Sequence, residues 1–141
     1  MSDQSDIYDC IVVGYGGVGS ASLMAAAKKG WKVLGIDRFG PAHDRGSSHG
    51  QTRIIRRAYF EHPSYVPLAN RAFEMWSDLN KRHRTSLDKK ELLTQTGLLQ
   101  MGSQGSDVIQ GVVASAKTHG LKIEHFTPEE IRQRLPLFKI P

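Results

Sequence analysis

The sequence predicts an α/β fold with parallel strands, and three consecutive features near its start predict it. Residues 7–13 form a short, β-branched and nearly continuous apolar run, which is typical of a strand buried on both faces. A glycine-rich turn occupies residues 14–19, and residues 18–29 are predicted to form a helix rich in small residues. Residues 31–36 are a second apolar run. Together these segments predict one strand–helix–strand unit, with Gly30 suited to the left-handed end of the helix.

The middle of the chain changes from an irregular segment to a helix. Residues 38–63 show no hydrophobic periodicity and contain several glycine, proline and serine residues, as long functional loops do. Periodicity returns at Ser64, and Pro67 is tolerated in the first turn of a helix. We expect one face of this helix to pack against a core. That face is formed by Tyr65, Leu68, Ala69, Ala72, Trp76 and Leu79.

The last part of the chain is predicted to alternate short strands and helices. Residues 92–95 and 98–101 are predicted to be two short strands, and residues 121–126 a third. Between them, residues 106–119 are predicted to be a helix that Gly120 stops. The sequence Thr-Pro-Glu-Glu at residues 127–130 combines a capping box with proline at the first helical position. It begins a short final helix, which is expected to end near residues 135–136.

The composition limits the class of protein. The chain has 141 residues, of which 39% are hydrophobic and 23% charged, as in a folded globular domain and unlike a disordered tail. No apolar run approaches the roughly 20 residues of a membrane-spanning helix, and residues 1–6 are polar and unlike a secretory signal. The single cysteine, Cys10, cannot form an internal disulfide, so an intracellular, cytoplasmic location is expected.

The net charge of +5 does not by itself indicate a nucleic-acid-binding protein. The basic residues are spread along the chain, with neither a basic platform interleaved with aromatic residues nor a helix-turn-helix pattern. The six histidines lack the spacing of a metal site. We therefore expect no nucleic acid, membrane or metal ion as a partner, and an anionic small ligand explains the basic excess better.

The turn after the first predicted strand matches the pattern G-x-G-x-x-G at residues 14–19. Gly14 permits the tight turn, Gly16 lets the backbone approach a pyrophosphate, and Gly19 lets helix and strand pack closely. The pyrophosphate of a dinucleotide would lie at the N-terminus of the helix, where free N–H groups and the dipole favour negative charge. Asp37, at the end of the second predicted strand, is expected to accept hydrogen bonds from ribose hydroxyls and to disfavour a 2′-phosphate. The alternative is a plain glycine turn followed by a solvated aspartate.

This motif predicts a dinucleotide without identifying it. FAD-binding and NAD-binding proteins share the same pattern, so the glycine loop alone does not exclude an NAD-dependent dehydrogenase. Residues beyond Asp37 must distinguish the two.

A second segment, residues 46–59, carries a family resemblance. Its sequence, Gly-Ser-Ser-His-Gly-Gln-Thr-Arg-Ile-Ile-Arg-Arg-Ala-Tyr, resembles the segment after the second strand in monomeric sarcosine oxidases, peroxisomal sarcosine/pipecolate oxidases and N-methyltryptophan oxidases. The resemblance extends from about residue 7 to the end of the chain and includes residues 65–68, 96–98 and 135–136. The Gly-Ser-x-His-Gly-x-x-Arg-x-Ile-Arg string is much more selective than the glycine loop, which many flavoproteins share.

The resemblance implies a Rossmann-type FAD-binding unit, similar to that of glutathione reductase, followed by the start of an α+β substrate-binding domain. It also implies an enzyme that oxidises the C–N bond of a secondary amino acid such as sarcosine. In that family hydride equivalents pass to the flavin, oxygen restores its oxidised form and yields hydrogen peroxide, and the imine product hydrolyses. The implied partners are a small amino-acid substrate and oxygen. A peroxisomal location would replace the cytoplasmic one if the complete protein carries a C-terminal signal.

The expected site residues follow from the resemblance together with the glycine loop. By similarity, Arg53 lies close to the flavin ring and Arg56 grips the substrate carboxylate, and these are the two expected catalytic residues. The residues expected to bind FAD are Gly14, Gly16, Gly17, Val18, Gly19, Asp37, Arg38, Gly46, Ser47, Ser48, His49, Thr52 and Arg53.

The chemistry of the two arginines agrees with these expectations. A planar guanidinium can hold a carboxylate bidentately, and a cation near the flavin stabilises the negative charge that develops on reduction. Arg53 and Arg56 are three residues apart, so in a helical turn they would share a face. The alternative is a solvated basic face, which the surrounding string makes the less favoured interpretation.

The chain departs from the family pattern in what it lacks. In the family, a cysteine in the second half of the chain commonly holds the flavin covalently, and a lysine there promotes the reaction with oxygen. Neither region is present, and Cys10 lies in the first predicted strand. We therefore expect a truncated product or a fragment, in which residues 1–63 begin the FAD-binding domain and residues 64–141 begin an incomplete substrate-binding portion. The alternative is a truncated, non-catalytic nucleotide-binding remnant.

Overall fold

The computed structural model describes residues 7–83 and 90–139. Its elements, in chain order, are β1 (Cys10–Val13), α1 (Gly17–Lys28), β2 (Val33–Ile36), α2 (Tyr65–His83), α3 (Asp107–His119) and α4 (Pro128–Arg134). The chain divides into two compact units, Met1–Arg53 and Ile54–Pro141. The domain boundary expected after residue 63 concerns complete domains and stays a prediction.

The first unit is the predicted strand–helix–strand unit, which is confirmed. β1 and β2 pair in parallel, in a register that sets Cys10 beside Val33 and Val13 beside Ile36. α1 connects the two strands and ends where Gly30 adopts a φ of +82°, in the left-handed region that glycine tolerates best.

The two faces of this small sheet differ, and the prediction that its first strand is buried on both of them is wrong. On one face α1 packs so closely that a Cβ at Gly35 would lie 2.7 Å from the Leu23 side chain. On the other face Ile11 is 54% exposed and Val13 is 82% exposed. The reason is that, in the part of the chain that the structure describes, one helix covers one side of the sheet.

The second unit contains the buried side chains of the described residues, and α2 contributes two of them. Val66 is fully buried and Ala69 nearly so. The predicted buried face of this helix is partly wrong, because Tyr65, Leu68 and Trp76 are exposed. Tyr65 instead rests on the Tyr59 ring, with 5.6 Å between the ring centroids. The buried stripe is therefore offset from the predicted one and runs through Val66.

The two remaining helices begin and end as their sequences predict. α3 follows Ser106 as N-cap and stops at Gly120, whose φ of +63° is left-handed. α4 begins with the complete capping box: the Thr127 hydroxyl accepts from the Glu130 N–H, and the Glu130 carboxylate accepts from the Thr127 N–H.

The three short strands predicted at residues 92–95, 98–101 and 121–126 are not formed. A strand needs a neighbour for its backbone hydrogen bonds, and no ladder involves these segments within residues 7–83 and 90–139. A side chain replaces that neighbour at one point. The Asn80 amide accepts from the N–H of Leu92 at 2.7 Å and donates to the carbonyl of Leu93 at 3.0 Å, which ties this segment to α2.

Among the residues that the structure describes, no helix has the length and apolarity needed to cross a membrane.

Candidate functional site

The glycine loop joins β1 to α1 in a conformation that its glycines make possible. Gly14 has a φ of +85° and donates its N–H to the carbonyl of Ile36 at 2.7 Å, which continues the sheet by one bond. Gly19 passes directly against Gly14: a Cβ at position 19 would lie 1.8 Å from the Gly14 carbonyl oxygen and 3.3 Å from Val12. Position 19 therefore accepts no side chain.

The N-terminus of α1 already contacts an oxygen atom. The N–H of Gly17 donates to the Ser48 hydroxyl at 2.9 Å, and a Cβ at Gly17 would lie 2.9 Å from the same oxygen. Free N–H groups and the helix dipole make this end of a helix favourable for negative charge. The bare backbone at residues 16 and 17 thus forms a cradle in which an oxygen ligand can approach the helix.

Asp37 follows β2 and holds the glycine loop and its own turn together. Its Oδ2 accepts the N–H of Tyr15 at 3.0 Å, and its Oδ1 accepts the N–H of Phe39 at 3.0 Å. These two backbone hydrogen bonds, Phe39 first, lower the pKa of Asp37 below its ordinary value, and nearby His43 adds to the effect. The side chain is 10% exposed, so the carboxylate is fixed in place and charged at neutral pH.

His43 is a site neighbour that the sequence did not reveal. Its Nε2 lies 3.4 Å from Oδ1 of Asp37, and its ring stands against Phe39 with 5.0 Å between centroids. The Nδ1 atom accepts the N–H of Arg45 at 3.0 Å, so the neutral ring carries its proton on Nε2, facing the carboxylate. The one signal available was a histidine six residues after the strand-end aspartate, inside a glycine- and proline-rich loop.

The loop after His43 is closed by Arg53. Its Nη2 donates to the Ser47 carbonyl at 3.0 Å, and its Nη1 donates to the Thr52 carbonyl at 2.8 Å. The guanidinium lies over Gly50, whose φ is +136° and where a Cβ would meet Nη1 at 2.2 Å. Two carbonyls thus hold this cation in the first unit.

The other expected FAD-binding residues of the first unit lie around this framework. His49 donates its N–H to the Gly46 carbonyl at 3.2 Å, which makes a turn. Val18, in the first turn of α1, is 84% exposed. Arg38 is exposed, with its guanidinium carbon 5.6 Å from the centre of the Phe39 ring.

Arg56 belongs to the second unit and lies close to two aromatic rings. Its guanidinium carbon is 4.7 Å from the centre of the Tyr59 ring and 5.1 Å from that of Phe60. Its Nη2 donates to the Glu61 carboxylate, while Nε is buried without a hydrogen-bond partner. Nε and Nη2 share the edge of a guanidinium that grips a carboxylate bidentately, so Glu61 engages half of that edge.

The prediction that Arg53 and Arg56 share a helical face is wrong. The backbone of residues 51–58 is not helical, and the two arginines fall in different compact units. Their spacing of three residues therefore carries no facial relationship.

Arg56 also lines an open cavity of about 350 Å³. Ile54 and Leu98 give it apolar walls, and Tyr59 and Gln100 complete the lining. A guanidinium beside apolar walls suits a small organic anion better than a free inorganic one. No cluster of side chains that could hold a metal ion occurs in the described ranges.

A parallel strand–glycine loop–helix–strand unit with an acidic residue after its second strand defines a Rossmann-type dinucleotide-binding protein. A family model described as FAD dependent oxidoreductase matches residues 9–141. The chain belongs to this family. FAD, the expected cofactor, is the one that the family description names, and the NAD-dependent alternative is set aside.

The relatives of the chain include two groups of named oxidases. It is 40% identical over 132 residues to the monomeric sarcosine oxidase of Streptomyces avermitilis, covering 94% of this chain and 33% of the relative. It is 41% identical over 135 residues to the monomeric sarcosine oxidase of a Bacillus species, covering 95% and 33%. It is 39% identical over 134 residues to the N-methyl-L-tryptophan oxidase of Yersinia pestis, covering 95% and 35%. The expected resemblance is confirmed, and the chain spans about a third of the length of these relatives.

Proposed function

We propose that this chain provides the N-terminal part of an FAD-dependent oxidase acting on a secondary amino acid, such as the N-methyl amino acid sarcosine. The overall reaction consumes the amino acid, oxygen and water, and it yields the demethylated amino acid, formaldehyde and hydrogen peroxide. In this proposal the first unit holds the adenosine and pyrophosphate part of FAD, and the second unit begins the substrate-binding portion. FAD, when bound, supplies the two-electron acceptor for this oxidation.

The fit of the first unit to the dinucleotide rests on its exposed backbone donors. Residues 16–18 at the start of α1 are exposed, and the Ser48 hydroxyl already provides the Gly17 N–H with an oxygen. A pyrophosphate oxygen needs the same kind of donor. Asp37 is the proposed acceptor of the ribose hydroxyls: its carboxylate is fixed by the N–H groups of Tyr15 and Phe39, and its Oδ2 lies on the side of the glycine loop, away from the contact of Oδ1 with His43.

The arginines have separate roles in the proposal. Hydrogen bonds to two carbonyls hold the Arg53 guanidinium, and with it a positive charge, in the loop. We assign this guanidinium a position near the flavin ring. Arg56 binds the substrate carboxylate, and the observation that carries this assignment is its unpartnered Nε on an edge that Glu61 half engages. A bidentate carboxylate would satisfy Nε and Nη2 together and would orient the amine through a fixed geometry.

The test uses protein purified from its native source, in its complete form. We expect a flavin absorbance spectrum and peroxide release with sarcosine, and we expect Arg56→Lys to raise KM for sarcosine by about 10- to 100-fold, since a point charge replaces a planar fork. Arg57→Lys is the matched control, because the neighbouring Arg57 stacks on Phe73 at 4.6 Å and has no assigned contact with substrate. Colourless protein, or amine-independent peroxide, would contradict the proposal.

A further inference from the structure

A fully buried hydroxyl on α3 touches the segment that carries Arg56. Ser115 has no exposed surface, and its Oγ donates to the carbonyl oxygen of Tyr59. Loss of the donor to a buried carbonyl is costly, because the carbonyl oxygen is then left buried without a hydrogen bond. The hydrogen bond therefore fixes the backbone at Tyr59 against the helix.

One turn earlier on the same helix, the absence of a side chain lets the backbone of this segment come close. A Cβ at Gly111 would lie 2.0 Å from the Phe60 carbonyl oxygen, so the chain at Phe60 passes directly over the helix surface. Residues four apart share a helix face, so Gly111 and Ser115 make one contact surface on α3. This surface hydrogen-bonds the carbonyl of Tyr59 and lies in close contact with the carbonyl of Phe60.

The two residues that contact this surface are those whose rings lie against the Arg56 guanidinium. The Tyr59 and Phe60 rings lie 4.7 and 5.1 Å from its guanidinium carbon. An arginine side chain has many rotamers, and a flat guanidinium in contact with two rings keeps few of them. The direction of the Nε/Nη2 edge of Arg56, which Glu61 half engages, thus depends on where α3 holds residues 59 and 60.

We propose that Ser115 and Gly111 are positioning residues for Arg56: Ser115 bonds the carbonyl of Tyr59, Gly111 leaves room for that of Phe60, and the two rings then aim the guanidinium at an organic carboxylate. The ligand class rests on the proposed function, whereas the positioning rests on the contacts alone. Neither α3 residue touches the carboxylate itself.

The experiment follows Arg56 directly in the full chain by the nitrogen-15 signal of its Nε–H group, assigned by its loss in Arg56→Lys. Ser115→Ala removes the hydroxyl with little change in volume. Thr118→Ala removes a hydroxyl from an exposed position of the same helix and is the matched control. Sarcosine and acetate are the probes, titrated into each variant.

We expect Ser115→Ala to move the Arg56 Nε–H signal, because its position relative to two ring currents changes, and to weaken sarcosine and acetate binding by about tenfold. Thr118→Ala should leave the signal and the binding unchanged. Ser115→Cys keeps a buried group with a weak donor and should fall between the wild type and Ser115→Ala, which provides a second variant if alanine disturbs folding.

The outcomes separate the two proposals. An Arg56 signal that is the same in Ser115→Ala and the wild type overturns the positioning role, whatever the binding constants. An equal loss of binding in Ser115→Ala and Thr118→Ala also overturns it, because the effect is then one of general stability. A signal that moves in Ser115→Ala, in a chain whose wild type binds neither probe, supports positioning and contradicts the carboxylate-binding role of Arg56.

Discussion

Gly19 and Gly14 meet backbone to backbone, because a Cβ at residue 19 would lie 1.8 Å from the carbonyl oxygen of Gly14. The first turn of α1 is thus pressed against the end of β1 and the glycine that follows it. Gly19, the last glycine of the G-x-G-x-x-G motif, sets this geometry without itself needing to touch a ligand.

Gly19→Ala should therefore destabilise the first unit by about 3 kcal/mol or more, since a methyl group cannot share space with a backbone oxygen and α1 must move. Thermal unfolding, followed by circular dichroism, measures the loss, and FAD binding should disappear with it. Gly40→Ala is the matched control, because a Cβ at Gly40 would meet nothing within 4 Å. Equal melting temperatures for the two variants would contradict the close approach.

Asp37→Asn should weaken binding of FAD or ADP-ribose by about tenfold, because a neutral amide accepts ribose hydroxyls less well than a carboxylate. It should also reduce discrimination against a 2′-phosphate, which the charge of Asp37 repels. Calorimetric titration with ADP-ribose and its 2′-phosphate gives the ratio. Asp44→Asn, which alters an exposed aspartate of the same loop, should leave both affinities unchanged. An unaltered ratio in Asp37→Asn would remove Asp37 from the ribose site.

The stability of the first unit should fall in acid through Asp37. Its folded-state pKa is lowered, chiefly by the N–H groups of Phe39 and Tyr15, so the folded state binds its proton less readily than the unfolded state. The contribution is fully present above the ordinary aspartate pKa, about 3.9, and is lost as the pH falls through the lowered folded value. Urea unfolding at a series of pH values should show a weaker acid dependence in Asp37→Asn. Superimposable pH curves for variant and wild type would contradict this assignment.

Sequence patterns were sufficient where a structure depends on neighbours along the chain. The glycine loop, the capping box at Thr127 and the stop at Gly120 each involve contacts within a few residues, and each forms as predicted. The three strands predicted after residue 90 are not formed, because pairing is a property of two segments. Hydrophobic runs such as residues 98–101 do not reveal whether a partner strand is present.

The site shows the same division. Asp37 could be found from its distance to the glycine loop, whereas His43 and Glu61 could not, because ion pairing in an irregular loop leaves no periodic signal. The contact of Ser115 with Tyr59 joins residues 56 positions apart, beyond the reach of any local pattern. The assumption of a helical turn at Arg53 failed for a related reason, since spacing has facial meaning when the backbone is helical.

Asn80→Ala should release the segment around Leu92 from α2. The amide of Asn80 makes three hydrogen bonds with that segment. It accepts from the N–H groups of Leu92 and Leu93 and donates to the carbonyl of Leu93. Losing them should cost the second unit about 1–3 kcal/mol and speed hydrogen exchange at the Leu92 and Leu93 amides. Ser77→Ala, one turn earlier on α2 and exposed, is the control. Unchanged exchange at both amides would show that the Asn80 contacts contribute nothing to order there.

Glu61→Gln should strengthen carboxylate binding at Arg56, because Glu61 competes for the same donors. The pair is partly exposed, with 28% of the Arg56 side chain and 42% of the Glu61 side chain accessible, so its contribution is about 1 kcal/mol and the expected gain is about fivefold. Acetate titration of the full chain measures the gain, and raised salt should reduce it. Glu74→Gln breaks an equally simple pair with Arg71 on α2 and should leave acetate affinity unchanged. If Glu61→Gln instead weakens acetate binding, Glu61 holds Arg56 in its binding geometry, and the carboxylate must join the ion pair without displacing it.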